Sequence, residues 1–274
     1  QQQIQWKPTG TYPCNVLLQY SSDGANWTNI TSLSAGSNNV VQTYNWTVPD
    51  ILSDTLLIKA STLMNKTSID VNDTSNATFK VRGSLLVTAP NGGEIWYVND
   101  TTRQIRWTSV GTVTPVKIEY STDNGGDWIV ITNNTVGVEG ANVYNWTPVP
   151  DLKNEQCLIK ISDNRSAFIS EVTDNSNATF SVRPVINVTE PTSGQNVIVN
   201  SVNTPIRWTY TGTQLATVNI DYSTDGGTNW TNVESGVSAT SGATYIWPSV
   251  PTTTTLNGKV RVVDSTNSQI VGYS

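Results

Sequence analysis

Apolar and polar residues alternate with a period of two along most of this chain. Val116, Ile118 and Tyr120 fall on one side of a strand and Lys117 and Glu119 on the other, and Val218, Ile220 and Tyr222 repeat the pattern around Asn219 and Asp221. No segment carries a helical stripe. In the middle of the chain the alternation predicts strands near 85–89, 94–98, 103–107, 116–120, 128–132, 142–146, 157–162 and 178–182, separated by Gly, Asn, Asp and Pro turns. Seven or eight short strands in about 100 residues predict an antiparallel β-sandwich.

The pattern recurs. Nine of the ten tryptophans form three triplets, Trp6, Trp27 and Trp46, then Trp107, Trp128 and Trp146, then Trp208, Trp230 and Trp247, with equivalents 100 to 102 residues apart. Ile4-Gln5-Trp6, Ile105-Arg106-Trp107 and Ile206-Arg207-Trp208 keep the same phase, as do Tyr44-Asn45-Trp46, Tyr144-Asn145-Trp146 and Tyr245-Ile246-Trp247. A period near 101 is too long for a solenoid unit or propeller blade and matches one sandwich of about 100 residues. The expected organisation is three repeats, residues 1–82, 83–183 and 184–274, each an immunoglobulin-like or fibronectin III-like sandwich, joined into an extended rod. The in-phase tryptophans are expected in the cores. Trp96, whose place in the third repeat is taken by Val197, is the candidate for a surface aromatic that binds a ligand.

The middle repeat reads Pro90-Asn91-Gly92-Gly93-Glu94-Ile95-Trp96, Ile105-Arg106-Trp107, Tyr120-Ser121-Thr122-Asp123, Trp128, Tyr144-Asn145-Trp146, Val149-Pro150, Cys157-Leu158-Ile159-Lys160-Ile161 and Asn177-Ala178-Thr179-Phe180. This order resembles the immunoglobulin-like tandem repeats of the Ser/Thr-rich surface-anchored family of secreted microbial proteins. The third repeat departs from it, with Pro191-Thr192-Ser193-Gly194-Gln195 at the Asn-Gly-Gly-Glu stretch. The resemblance implies an extracellular, cell-surface location and a spacer, adhesive or structural role, with no shared catalytic residues. A second, local resemblance is to the Asp boxes of sialidase propellers, in Ser121-x-Asp123-x-Gly125-x-x-Trp128 and Ser223-x-Asp225-x-Gly227-x-x-Trp230; the first repeat is one residue shorter over Ser21–Trp27. Such a stretch builds a hairpin turn in which the carboxylate accepts backbone N–H groups. The propeller period and the arginine cluster of a sialidase are both missing.

Composition narrows the function further. Charged residues are 13% of the chain and the net charge is -6, with no cluster of Lys or Arg among aromatics, so nucleic acid is not an expected partner. The sequence holds no histidine, which removes the commonest general base and metal ligand. No catalytic residue, cofactor or metal is expected. Asp123 and Asp127 admit a calcium reading, but the equivalent loops carry Asn26 and Asn229 at the second position, and a turn role is preferred. No run approaches 18 apolar residues, so no membrane span is expected. Cys14 and Cys157 sit at non-equivalent places and are read as thiols or as one bond between domains or chains. Lys59, Lys160 and Arg261 fall at equivalent outward positions and are read as a solvated sheet face.

Thirteen Asn-x-Ser/Thr sequons stand at Asn26, Asn29, Asn45, Asn65, Asn72, Asn76, Asn99, Asn133, Asn145, Asn164, Asn177, Asn187 and Asn229. That is about twice what the Ser and Thr content gives by chance, and glycosylation at several of them is expected. A glycan coat would supply the hydration that charge normally supplies.

One repeat runs almost directly into the next, through Phe79–Val87 and Phe180–Ile186, so stiff joints are expected. The first repeat lacks a counterpart of the 89–94 region and the third a counterpart of 177–182. The expectation is that these open ends are completed by neighbouring repeats of the same chain or by self-association through end strands, with glycans as further partners. The leading functional reading is a non-enzymatic extracellular structural or adhesive protein, a repeat rod or filament subunit. The alternative is an accessory spacer or carbohydrate-binding array attached to a secreted hydrolase.

Overall fold

The computed structural model describes residues 2–10, 15–64, 68–165, 168 and 171–274; Cys14 and Asn65 lie outside the described residues. All regular secondary structure among them is β-strand. In the middle repeat one sheet has the order Gly140–Asn145, Gln104–Val110, Ser84–Ala89. The other runs Ile129–Thr135, Val116–Ser121, Asn154–Asp163, Phe180–Arg183, Ile95–Tyr97. Thr173–Asn175 also pairs with Asn154–Asp163. The pairings are antiparallel except that of Ile95–Tyr97 with Phe180–Arg183, which is parallel. All eight strands predicted for this repeat are present, and Thr173–Asn175 is an addition that three polar residues could not announce.

The alternation closes a core between the two sheets. Ile118, Ile159, Ile161, Phe180 and Val182 are fully buried on one side, against Val87, Ile105 and Trp107 on the other. Removing such side chains from water is worth roughly 1.5–3 kcal/mol each. The third repeat repeats this with Trp208, Ile206, Val218, Ile220 and Val262. In the first repeat, among the described residues, Val16, Leu18 and Ala35 form the buried cluster, with Trp46 and Leu56 also buried and Ile4, Trp6 and Tyr44 half-buried.

The difference follows the strand pairing among the described residues. Among the described residues Gln2–Trp6 pairs with Gln42–Trp46 alone, whereas its counterpart Gln104–Val110 has a strand on both edges. Among the described residues Phe79–Val81 likewise pairs only with Ser53–Met64. In the third repeat Asn196–Ile198, the counterpart of Ile95–Tyr97, is not a strand.

The tryptophans therefore divide by position. Trp46, Trp107, Trp146, Trp208 and Trp247 are core residues, but Trp6, Trp27, Trp128 and Trp230 are only half-buried. The last three lie outside the sandwich, on the outer sheet face. The expectation that all nine are core is corrected to this extent.

The total accessible surface is 14610 Å². A single compact globule of this mass would expose about 11,600 Å² and three separate 10 kDa bodies about 15,600 Å², so the repeats bury little against one another.

Trp107 is 1% exposed and fills the space between complete sheets. Trp107→Ala is expected to destabilise the second repeat by about 3–5 kcal/mol, and Trp6→Ala the first by clearly less. Amide exchange of the strands in each repeat measures both; equal losses would contradict the difference in packing.

Candidate functional site

Three kinds of site recur along the chain: turns, joints and open edges. In the turn of the middle repeat the buried Ser121 hydroxyl donates to Asp123 at 2.6 Å and accepts the Gly125 N–H at 2.9 Å. The Asp123 carboxylate accepts the Asp127 N–H at 2.9 Å. Gly125 has φ 94, which a side chain would strain, and its bare face lies against the Trp128 ring. Ser223, Asp225 and Asn229 form the same network at 2.7 and 2.9 Å. Ser21, Asp23 and Asn26 retain it at 2.9 and 2.7 Å despite the shorter loop. Hydrogen bonds from the Ser121 hydroxyl and the Asp127 amide hold Asp123 below the usual carboxylate range. The Asn229 amide and Ser223 hydroxyl lower Asp225 to about 2. These carboxylates are occupied as turn acceptors.

Behind each turn stands an indole covered by a cation. Lys59 lies 4.0 Å from the centre of the Trp27 ring, Lys160 4.2 Å from Trp128 and Arg261 4.4 Å from Trp230. The cation series expected as a solvated face is thus half-buried over aromatic rings, a contact worth about 0.5–1 kcal/mol where partly exposed. Glu119 accepts from Lys160 at 3.0 Å and Lys117 at 2.6 Å, and Asp221 from Arg261 at 2.8 Å; Gln19 replaces the carboxylate in the first repeat. Burial pushes the Glu119 carboxyl up, but its two lysine partners outweigh this and leave it lowered.

Stiff joints were expected, but the contacts that span them were not. Asp50 of the first repeat accepts the Thr112 N–H at 2.9 Å and the Thr112 hydroxyl at 2.5 Å. Asp151 of the second accepts the Thr213 N–H at 3.1 Å and hydroxyl at 2.7 Å. Each threonine follows a glycine at φ 78, Gly111 or Gly212. A Cβ on Gly212 would stand 2.2 Å from the Asp151 carboxylate, so glycine is required by the contact as well as by the turn. Arg82 binds Asp54 of its own repeat and, at 2.5 Å, Glu171 of the next. Arg183 binds Glu155 at 2.7 Å and Gln269 beyond the joint. Lys153 reaches the buried Asp264 at 2.8 Å, and Asn267 donates to Glu155 at 2.7 Å. The signal was the recurrence of Val48-Pro49-Asp50 and Val149-Pro150-Asp151, and of Gly111-Thr112 and Gly212-Thr213, at the repeat period. The third repeat breaks it, with Thr252 after Val250-Pro251.

Of the sequons, Asn26, Asn29, Asn45, Asn72, Asn76, Asn99, Asn133, Asn145, Asn177, Asn187 and Asn229 are exposed. Asn164 is half-buried, and its Nδ2 donates to the Asn133 carbonyl at 2.6 Å. The Asn26 and Asn229 amides donate to the turn carboxylates Asp23 and Asp225, both at 2.7 Å. Cys157 is buried, and burial pushes its thiol up to about 12, so it is not a reactive thiolate.

Trp96 is corrected. It is 4% exposed, packed 5.1 Å from Phe180 and 5.8 Å from Trp146 between ring centres. Val197 stands in its place in the third repeat, where it is half-buried.

The open edges line two grooves. The one in the first repeat, about 1090 Å³, runs along Gln2–Trp6 and Phe79–Arg82. The one in the third, about 820 Å³, lies between 191–199 and 253–260.

No family model and no curated protein matches this chain. Among solved structures it is similar to the tetra-tandem repeat in the extending region of a large adhesion protein, at 16% identity and a TM-score of 0.39, over 95% of this chain and 66% of that one. It is also similar to the fibronectin(III)-like modules of Clostridium thermocellum CbhA, at 17% identity and a TM-score of 0.22, over 69% of this chain and 90% of that one. The FN1–FN3 domains of chicken CNTN1 match at 14% identity and a TM-score of 0.24, over 95% of this chain and 87% of that one.

The second joint carries a pH dependence. Hydrogen bonds from Arg183, opposed by burial, lower the Glu155 carboxyl to about 2. A lowered carboxyl stabilises its contact above its ordinary value, 4.5, and that support is lost as the pH falls towards 2. Acidification through this window, or Asp151→Ala at neutral pH, is expected to lower the protection factor of the Thr213 amide, relative to its intrinsic exchange rate at the same pH, while the Trp208 core stays protected. Unchanged Thr213 exchange in both cases would contradict the joint described.

Proposed function

We propose that this chain is a non-catalytic, extracellular rod of three sandwich domains, 1–82, 83–183 and 184–274, that holds distance between other parts of a surface protein or filament. The observation that carries the reading is the joint. The same Asp to Gly-Thr contact, flanked by an arginine tie, spans both boundaries, so adjacent domains are held in one relation rather than by a flexible tether. Repeating one joint geometry at each boundary gives a regular, stiff succession of domains. The large accessible surface supports an extended form.

The exposed sequons supply the surface chemistry. Eleven of the described sites present their asparagine to solvent. Glycans there would shield the outer strands from pairing with neighbours, the role that charge performs in other sandwiches. Strand edges at the two grooves are the proposed contacts with neighbouring repeats. With Trp96 in the core, no exposed indole supports the alternative of a carbohydrate-binding array.

Small-angle X-ray scattering of the chain tests the rod. A compact globule of 274 residues would have a radius of gyration of about 19 Å. The rod predicts a value well above that and an elongated pair-distance distribution; a value near 19 Å would overturn the reading.

A further inference from the structure

We infer that Asn29, Asn45, Asn133 and Asn145, on the open sheet edges of the first two repeats, are the positions at which the folded chain is N-glycosylated, and that these glycans keep those edges from pairing with another chain. The inference rests on the glycoprotein part of the proposed function; it names which sequons carry sugar and what the sugar does there.

On one side of each sandwich both sheets end in an unpaired strand. In the middle repeat these strands are Ile129–Thr135 and Gly140–Asn145, in the first Thr28–Ser34 and Gln42–Trp46, and in the third Thr231–Ser238 and Thr244–Trp247. The edges are open in the middle repeat even though the strands behind them, Val116–Ser121 and Gln104–Val110, are paired on both sides. An open edge is a template for a further strand unless charge, proline or bulk blocks it. The four end strands of the first two repeats contain no charged residue and no proline. Ile129, Val130 and Val143 on them are exposed, so Ile129-Val130-Ile131-Thr132 is a segment that pairs readily. Each of the four strands carries one sequon.

The third repeat guards the same side differently. Asn232-Val233-Glu234 stands where the first repeat has Asn29-Ile30-Thr31, and Ile246 stands where Asn45 and Asn145 do, so these strands hold no sequon. Glu234 is exposed within its edge strand and accepts the Tyr245 hydroxyl of the other at 3.3 Å. One carboxylate thus stands over both edges. On this side of the sandwiches, sequons occur where charge is absent and charge where sequons are absent.

The side-chain amides divide the sequons further. In glycosylation Nδ2 attacks the anomeric carbon of a glycosyl phosphate donor held by a transferase. The Nδ2–C1 bond forms, the C1–O bond breaks, the phosphate leaves with the electron pair, and the amide gives up one proton to a base of the transferase. Nδ2 must therefore be uncommitted. Gln19 donates to Oδ1 of Asn29 at 2.8 Å and Gln104 to Oδ1 of Asn145 at 2.9 Å, each from the facing position of the neighbouring strand. Those bonds fix the amide and leave Nδ2 open. Among the described residues no acceptor meets Nδ2 of Asn29, Asn45, Asn133 or Asn145. Asn26 and Asn229 are the reverse, with Nδ2 donating to Asp23 and Asp225 at 2.7 Å, and Asn164 donates to the Asn133 carbonyl at 2.6 Å.

Glycopeptide mass spectrometry of the full chain from its natural source tests the assignment. Occupancy at the four edge asparagines is expected to be at least about tenfold above that at Asn26, Asn164 and Asn229, whose Nδ2 must first give up a hydrogen bond. A second measurement tests the role. A chain with Thr31→Ala, Thr47→Ala, Thr135→Ala and Thr147→Ala keeps the asparagines and loses their sequons, and in sedimentation velocity it should associate further than the parent. Thr31 and Thr132 face Leu18 and Ile118 as Glu234 faces Ile220. Thr31→Glu in place of Thr31→Ala, together with Thr132→Glu, should therefore reverse that association, with protection of the Trp107 core showing that both variants fold. The inference is overturned if glycan is confined to other sequons, if Asn26, Asn164 and Asn229 are occupied to the same degree, if the alanine variant associates no more than the parent, or if the two glutamates do not reverse its association. A chain bare at every sequon would overturn the glycoprotein reading as well, whereas glycan confined to other positions would overturn this inference alone.

Discussion

A β-sheet is closed only when each edge strand is paired, covered or blunted, and that constraint orders everything observed in this chain. Where both sheets of a repeat are complete, as in the middle one, the alternation places Trp107, Phe180 and Ile159 in a dry interior. Where a strand edge is unpaired among the described residues, as at Gln2–Trp6, the same residue types are half-covered. The identities of Ile4, Trp6 and Phe79 match their buried counterparts, so the difference lies in pairing and not in sequence preference.

The same constraint explains the polar chemistry. A sandwich with few charges keeps its outer faces soluble and ordered through short hydrogen-bonded turns and through cations laid over indoles. The Ser–Asp turn fixes the hairpin, its glycine brings the loop down onto Trp128 or Trp230, and a strand-borne Lys or Arg closes the other face of the ring. At the joints, Asp50 and Asp151 turn the loop of one repeat into a cap on the Gly-Thr turn of the next. Local turns and boundaries between repeats thus use one device, a carboxylate accepting backbone N–H groups.

Much of this was legible in the residues. The tryptophan triplets gave the period, and strict alternation gave the strands, because core periodicity is written locally. The Ser121, Asp123 and Gly125 turn was legible for the same reason. The short joints were legible too, but their contacts were not, since Asp50 and Thr112 are common polar residues whose meaning comes only from being brought together across a boundary. Trp96 was misread because its replacement by Val197 suggested a dispensable surface residue. Its size answers to Phe180, a partner far away in sequence. Trp27, Trp128 and Trp230 were misplaced for a related reason: periodicity cannot tell an indole between two sheets from one beneath a turn on the outer face.

Whether the repeated carboxylate joints make a rigid succession is the point on which the account stands. The most direct measurement is the distance distribution between paired spin labels, one on an exposed position of the first repeat and one on the third, by pulsed electron resonance in frozen solution at neutral pH. The account predicts one narrow distribution at long distance. A broad distribution extending to short distances would show that the joints are hinges, and would contradict it.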